Sequence, residues 1–215
     1  MKRFILLFLC CLLFMTGCIE ITDEITVNAD GSGTIRASID MGMLGSASDK
    51  QSPNVDMDIL NKIKAFPLFA DSLLKGMPGI SNIIPVTDNK KGLFAISMDF
   101  KDSRSLNKSI YRLFGRKPGL FSPSFVKVSK HRLVKKNMAP LLKKLMEGNK
   151  TINSMAGDMM MQFISFNSIY HLPKGATKIS NIKAIAENGG TTVTTRFSLS
   201  EMIKTDFDYG IKIRY

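Results

Sequence analysis

The sequence predicts an α+β fold: a largely antiparallel, curved β-sheet with helices from the middle of the chain packed on one face. Segments of alternating polar and apolar residues occur near both ends of the 215-residue chain, and this two-residue period is typical of half-buried strands. Turn-forming residues separate many of these segments, which favours hairpins and antiparallel pairing. Between them, apolar residues recur with a helical period. Strands and helices are therefore segregated along the chain, as in α+β proteins.

The first element is a predicted β-hairpin. Apolar residues from Ile21 to Val27 share one parity and polar residues the other, with Asp23 as the one exception. Residues 28–33 are rich in Asn, Asp, Gly and Ser, which favour a turn. The alternation resumes over residues 34–41. Two paired strands joined by a tight turn are the expected structure.

The same rules give the remaining elements. A helical stripe covers residues 56–75, where Pro67 lacks an amide donor and is expected to kink or split the helix. An amphipathic helix is predicted over residues 136–148. The other predicted strands are 80–88, 93–101, 163–172, 176–187, 191–199 and 209–215, with 121–134 extended in part, and the other predicted helices are 102–114, 151–161 and 198–204. Seven or eight strands are thus expected in one sheet with one covered face.

The N-terminus has the features of a bacterial lipoprotein signal. Two basic residues precede a 12-residue apolar run from Phe4 to Met15, which as a helix spans about 18 Å and is too short to cross a hydrocarbon core of roughly 30 Å. The run ends in a Met-Thr-Gly-Cys sequence that resembles the bacterial lipobox, in which lipid is attached to the sulfur of the cysteine, here Cys18, and the peptide is cut before it. We predict that residues 1–17 are a signal peptide and that residues 18–215 form one domain.

The cysteine content and the signal sequence together indicate where the mature protein is located. Cys10 and Cys11 would be removed with the signal, so Cys18 is the only cysteine of the mature chain. Since its sulfur is expected to carry lipid such as palmitate, no internal disulfide or cysteine-based metal site is predicted. We expect a lipid-anchored protein of the cell envelope. Residue 19 is Ile rather than the Asp that directs many lipoproteins to the inner membrane, which favours the outer membrane.

Positive charge is concentrated in a middle segment, predicted to be helical and basic over about residues 101–160. Residues 101–150 contain fourteen Lys and Arg and two acidic residues, a net charge of +12 that equals the formal net charge of the whole chain. Such a field attracts anions. Outside the cytoplasm the expected partners are anionic lipid, lipopolysaccharide or an envelope protein, and not nucleic acid. The residues predicted to bind such a partner are Arg112, Arg116, Lys117, Lys127, Lys130, Arg132, Lys135, Lys136, Lys143 and Lys144.

The motifs resemble those of LppM-type bacterial lipoprotein domains. The matching residues are Cys18, the segment from Glu24 to Asn28, the turn from Asp30 to Gly33, and three closing segments at 170–173, 191–197 and 211–213. They cover about the first and last quarters of the mature chain. The resemblance implies a curved sheet and helices enclosing an apolar groove, and an envelope role without a known enzymatic reaction.

No catalytic motif is present, and no cofactor, metal site or enzymatic activity is predicted. His131 and His171 are the only histidines, and neither has a zinc-binding spacing. The predicted function is a non-enzymatic lipoprotein that binds lipid or another anionic envelope component. Two alternatives are open: an assembly partner of another envelope protein that uses the same basic face, and a hydrolase whose nucleophile is activated by one of the two histidines.

Overall fold

The architecture is α+β, as the sequence predicts. A computed structural model describes residues 19–42, 57–117, 122–140, 163–204 and 207–215. Within these ranges the chain forms eleven strands and three helices. The predicted helices over 136–148 and 151–161 lie mostly outside the described residues, as does the lipobox. None of the described helices is both long enough and apolar enough to span a bilayer.

The strands form two open sheets. The larger has seven strands in the order β3-β4-β2-β1-β7-β10-β9, and the smaller has four in the order β5-β6-β11-β8. All pairs are antiparallel except β1 and β7. The large sheet contains β1 (Ile19–Val27), β2 (Gly33–Asp40), β3 (Ile80–Asp88), β4 (Leu93–Phe100), β7 (Ile164–His171), β9 (Ile185–Glu187) and β10 (Thr192–Ser198). The small sheet contains β5 (Val126–Ser129), β6 (Arg132–Lys135), β8 (Lys178–Ile179) and β11 (Ile211–Arg214).

The presence of a second sheet differs from the prediction of one sheet with seven or eight strands. The segment predicted as one strand over residues 176–187 is two short strands: β8 pairs with β11 in the small sheet, and β9 pairs with β10 in the large one. Between them, Asn181 accepts a hydrogen bond from the amide of Lys183 and donates one to the carbonyl of Gly210. This Asx-type turn redirects the chain from one sheet to the other. Alternation alone does not reveal such a change of sheet.

The helices and the small sheet cover the inner face of the large sheet. Helix α1 (Met57–Leu74) packs against β3 and β4, α2 (Ser103–Leu113) packs against α1 and β5, and α3 (Leu199–Lys204) follows β10. The shared core joins the two sheets and the first two helices. Its fully buried members include Ile25, Tyr170 and Val193 of the large sheet, Leu133 and Ile213 of the small sheet, and Leu74 and Leu106 of the helices.

Helix α1 is one continuous helix and is not split at Pro67, contrary to part of the sequence expectation. Pro67 is fully buried. Because its ring packs in the interior, we attribute the tolerance of the missing amide hydrogen bond to this burial.

Candidate functional site: an apolar cavity and a basic groove

A cavity of 390 Å³ lies between the inner face of the large sheet, the first two helices and the small sheet. Its volume is within the range of small-molecule sites. Most of its walls are aliphatic or aromatic. The lining comprises Ile21, Asp23, Ile25, Ile35, Ala37, Phe66, Ile96, Met98, Ile110, Leu113, Phe114, Val126, Lys135, Lys136, Met138, Phe166, Ser168, Phe197, Met202 and Tyr209.

The strand registers place these side chains in rows across the large sheet. One apolar row crosses β2, β1, β7 and β10 through Ile39, Ile21, Phe166 and Phe197, and another through Ile35, Ile25, Tyr170 and Val193. Between the two apolar rows lies a mostly polar row of Ala37, Asp23, Ser168 and Thr195. The inner face therefore has a narrow polar band within an apolar surface.

A buried ion pair joins this polar row to the small sheet. The Lys135 ammonium on β6 donates to Asp23 Oδ1 at 2.6 Å and to Ser168 Oγ at 2.8 Å. Ser168 Oγ donates to the same carboxylate oxygen at 2.8 Å. The Lys135 and Asp23 side chains are only 16% and 30% exposed. The pair thus connects the two sheets across the cavity with charge-assisted hydrogen bonds.

The environment favours the charged form of Lys135. Burial by itself lowers the pKa of Lys135, but the attraction of the Asp23 carboxylate and the interaction with Tyr170 outweigh burial and raise this pKa above its ordinary value. Burial, together with the nearby Asp23 charge, raises the pKa of the Tyr170 hydroxyl, although Lys135 opposes this. At neutral pH the cavity therefore holds a charged lysine beside a neutral tyrosine.

The two carboxylate oxygens of Asp23 differ in their contacts. Asp23 Oδ2 is buried and accepts no hydrogen bond within the described part of the chain. A buried acceptor without a partner costs about 1–3 kcal/mol.

A second, polar depression of 940 Å³ lies between α2 and the β5–β6 hairpin, and we call it the basic groove. Of the residues that the structure describes, four cationic side chains line it: Arg104 and Lys108 from α2, Lys127 from β5 and Arg132 from β6. Hydroxyl-bearing residues complete much of the remaining surface. They are Ser103, Tyr111, Ser122, Ser124 and Ser129.

The floor of the basic groove is held by hydrogen bonds from α2 to the backbone around β5. Asn107 Oδ1 accepts from the amides of Phe125 at 2.6 Å and Val126 at 3.1 Å. Its Nδ2 donates to the carbonyls of Ser103 at 2.6 Å and Val126 at 2.5 Å. Tyr111 Oη donates to the carbonyl of Pro123 at 2.7 Å. These bonds fix the distance between the two walls.

Helix α2 starts at a defined position because its N-terminus is capped. The Asp102 side chain accepts from the amide of Ser105 at 2.7 Å, and Ser105 Oγ accepts from the amide of Asp102 at 3.2 Å. This reciprocal pair is a capping box. The hydrogen bond from the Ser105 amide, more than any other interaction, lowers the pKa of Asp102. The cap sets the position of Arg104 and Lys108 relative to β5.

The structure separates the residues that the sequence grouped as one anion-binding set. Arg112, Arg116, Lys117, Lys130 and Lys136 are exposed, and Lys127 and Arg132 line the basic groove. Lys135 instead points into the apolar cavity and is paired with Asp23. Cys18, Lys143 and Lys144 lie outside the described residues.

Sequence reasoning missed Asp23 and Ser168 as site residues. Both are polar residues at the apolar parity of their strands, and they lie opposite each other in the register of β1 and β7. The exception at Asp23 was visible in the sequence and was the only available signal for an inward-facing charge.

The two histidines do not line the cavity. His171 Nε2 lies 2.8 Å from Glu24 Oε1, and His131 is exposed near the turn of the β5–β6 hairpin. Among the described residues no group of three or more His, Cys, Asp and Glu side chains is arranged to hold a metal ion.

Comparisons with known proteins give one structural similarity. No protein-family model matches the chain, and no curated protein sequence matches it. The NMR structure of the folded domain of LppM from Mycobacterium tuberculosis is similar, with a TM-score of 0.42 and 10% identity, over 92% of this chain and 89% of that one.

Proposed function

We propose that this protein is a lipid-anchored, non-enzymatic protein of the cell envelope, in the outer membrane, that binds an apolar lipid-like ligand in the 390 Å³ cavity. The observation that carries the proposal is the composition of the cavity wall. Among the lining residues that the structure describes, seventeen of twenty are uncharged and mostly aliphatic or aromatic, and the charges belong to Asp23, Lys135 and Lys136. Such a surface gains free energy by excluding water from hydrocarbon, at about 0.8 kcal/mol for each buried methylene group.

The position of the predicted anchor supports this function. Strand β1 begins at Ile19, one residue after Cys18 in the sequence. Three residues span at most about 11 Å, so Ile21 in the cavity wall lies within that distance of Cys18. A bilayer holding the acyl chains of Cys18 would therefore be close to this end of the cavity. A lipid could reach the cavity from the bilayer over a short path.

A binding series with alkyl probes tests the proposal. The chain from Ile19 onward, produced without the signal and checked for folding by circular dichroism, is titrated with unbranched alkyl probes of increasing length that carry one environment-sensitive fluorophore. We expect affinity to rise about fourfold with each added methylene until the cavity is filled, and then to level off. If no probe binds at any chain length, or if affinity keeps rising without a plateau, the result contradicts a cavity of fixed volume.

A matched pair of variants locates the binding. Ala37→Leu adds volume to the cavity wall, whereas Ser38→Leu adds a leucine at the next position, on the opposite face of β2. We expect Ala37→Leu to weaken binding of the best probe by about tenfold or more and Ser38→Leu to leave it unchanged. Equal loss in both variants would place the probe elsewhere.

A further inference from the structure

The outer face of the small sheet is basic across all four of its strands. The register pairs Ser129 with Arg132, Arg132 with Arg214, and Arg214 with Lys178. The neighbouring row runs from Lys127 through Val134 to Lys212. Because alternate residues of a strand point to the same face, these cations share one surface. All five of these cationic residues are exposed.

The basic groove continues this surface onto α2. Arg104 and Lys108 are four residues apart, which places them on one side of the helix. Together with the sheet they make a strip of seven cations: Arg104, Lys108, Lys127, Arg132, Lys178, Lys212 and Arg214. In the described ranges of the chain, no salt bridge involves any of the seven. We call this surface the basic strip.

The basic strip is a different surface from the sequence segment that contains most of the positive charge. Lys178, Lys212 and Arg214 come from strands that are distant in sequence from residues 101–150, whereas Lys135 of that segment turns inward. The folded arrangement concentrates cations that are about 5 Å apart between strands and about 7 Å apart along them. Bringing so many like charges together destabilises the protein unless a ligand neutralises them.

We propose that the basic strip binds a ligand that carries several phosphate groups in series, with one phosphate held in the basic groove. Guanidinium groups bind phosphate oxygens through paired hydrogen bonds, and ammonium groups add charge attraction without a fixed geometry. The concave shape of the groove suits a compact oxyanion. The site lies on the other side of the β5–β6 hairpin from the apolar cavity, so it is independent of the proposed lipid binding.

The phosphate groups could belong to a soluble polyphosphorylated molecule or to lipid headgroups, and the test separates these sources. The full chain, purified in uncharged detergent micelles, is titrated with sodium tripolyphosphate in a calorimeter at two salt concentrations. The titration is repeated with phosphatidylglycerol or phosphatidylcholine mixed into the micelles. Hexaglutamate is the comparison anion. We expect tripolyphosphate to bind with a Kd of about 1 mM or tighter, and more weakly at the higher salt concentration.

Two double variants with equal charge loss locate the site. Lys108→Gln/Lys127→Gln removes two cations of the basic groove, and Lys75→Gln/Lys90→Gln removes two exposed cations elsewhere. At about fivefold for each lost charge, the groove variant should bind tripolyphosphate about 25-fold more weakly, while the control changes little. Circular dichroism checks that both variants fold.

Each outcome decides the proposal. Tripolyphosphate binding that phosphatidylglycerol in the micelle weakens by competition supports lipid headgroups as the source, and binding that is insensitive to it supports a soluble ligand. Absence of tripolyphosphate binding, or equal losses of binding in the two variants, would overturn the proposal. Hexaglutamate binding as tight as that of tripolyphosphate would also overturn it, in favour of an acidic protein partner. None of these results depends on whether an alkyl probe enters the cavity.

Discussion

The two faces of the β5–β6 hairpin differ sharply, although they alternate along the same ten residues. On the inner face, Val126 and Leu133 are buried and Lys135 is held by Asp23 inside the apolar cavity. On the outer face, Lys127 and Arg132 are exposed and line the basic groove. A lysine on one face is thus part of the interior, whereas its neighbours in sequence form a surface for anions.

The partners of a basic residue, and not its residue type, decide what it does in this protein. Lys135 lies opposite an acidic residue of the other sheet, donates hydrogen bonds to Asp23 and Ser168, and interacts with Tyr170. The outer-face cations have no such carboxylates within reach in the part of the chain that the structure describes. On the inner face, the charge of Lys135 is paired within the protein and contributes to its stability. On the outer face, the charges of Lys127 and Arg132 are available to bind anions.

Removing one partner of the ion pair between Asp23 and Lys135 should cause the largest fall in the free energy of unfolding. Asp23→Ala leaves Lys135 buried without its countercharge, and we expect the free energy of unfolding to fall by about 3–5 kcal/mol. The measurement is equilibrium unfolding in urea. In the double variant Asp23→Leu/Lys135→Met neither charge remains, and most of the lost stability should return. A double variant as unstable as the single one would show that the pair is not the source of the loss.

The ion pair also shows how far sequence reasoning reaches. Alternation predicts β1 and the direction of each of its side chains, so Asp23 stands out as an inward polar residue. Its partners could not be predicted, because Lys135 is 112 residues away and Ser168 is 145 residues away. Their proximity depends on the parallel pairing of β1 with β7 and on the packing of a second sheet, neither of which the alternation specifies.

The same limit applies to the cavity and to the basic strip. A cavity is the volume left between packed elements, and no single segment encodes that volume. The alternation of the last strand did place Lys212 and Arg214 on the polar face of β11. Only the sheet order, in which β11 lies between β6 and β8, shows that this face continues the basic groove.

Loss of the hydrogen bonds that hold the floor of the basic groove should cause the next largest fall in the free energy of unfolding. Asn107→Ala removes four hydrogen bonds and leaves the amides of Phe125 and Val126 without their acceptor, so we expect a loss of about 2–4 kcal/mol. Urea unfolding measures the loss. At a temperature where the variant remains folded, tripolyphosphate binding should weaken while alkyl-probe binding in the cavity is retained. If the variant lost binding of both tripolyphosphate and the alkyl probe, the two sites would not be independent.

High pH should lower the free energy of unfolding by a smaller amount, because Lys135 and Tyr170 lose their protons. The pKa values of Lys135 and Tyr170 are raised in the folded protein above their ordinary values of 10.5 and 10.0. Their contribution is therefore complete below about pH 10 and is lost as the pH rises through the folded pKa values, because the unfolded chain releases its protons first. Urea unfolding between pH 8 and 11.5, roughly the range around these reference values, should show this decline, and Asp23→Leu/Lys135→Met should show a shallower one.

The smallest effect is expected at the start of α2, on the wall of the basic groove. Asp102→Ala removes the N-cap, and the free energy of unfolding should fall by about 1 kcal/mol. Because the pKa of Asp102 is lowered in the folded protein, its contribution is present above the ordinary value of 3.8 and is lost as the pH falls through the folded pKa. Asp102→Asn is the matched control, since an amide oxygen still accepts the hydrogen bond from Ser105. It should keep most of the stability and lose the acid dependence that Asp102 contributes, whereas equal destabilisation by both substitutions would show that the charge, and not the cap, positions the helix.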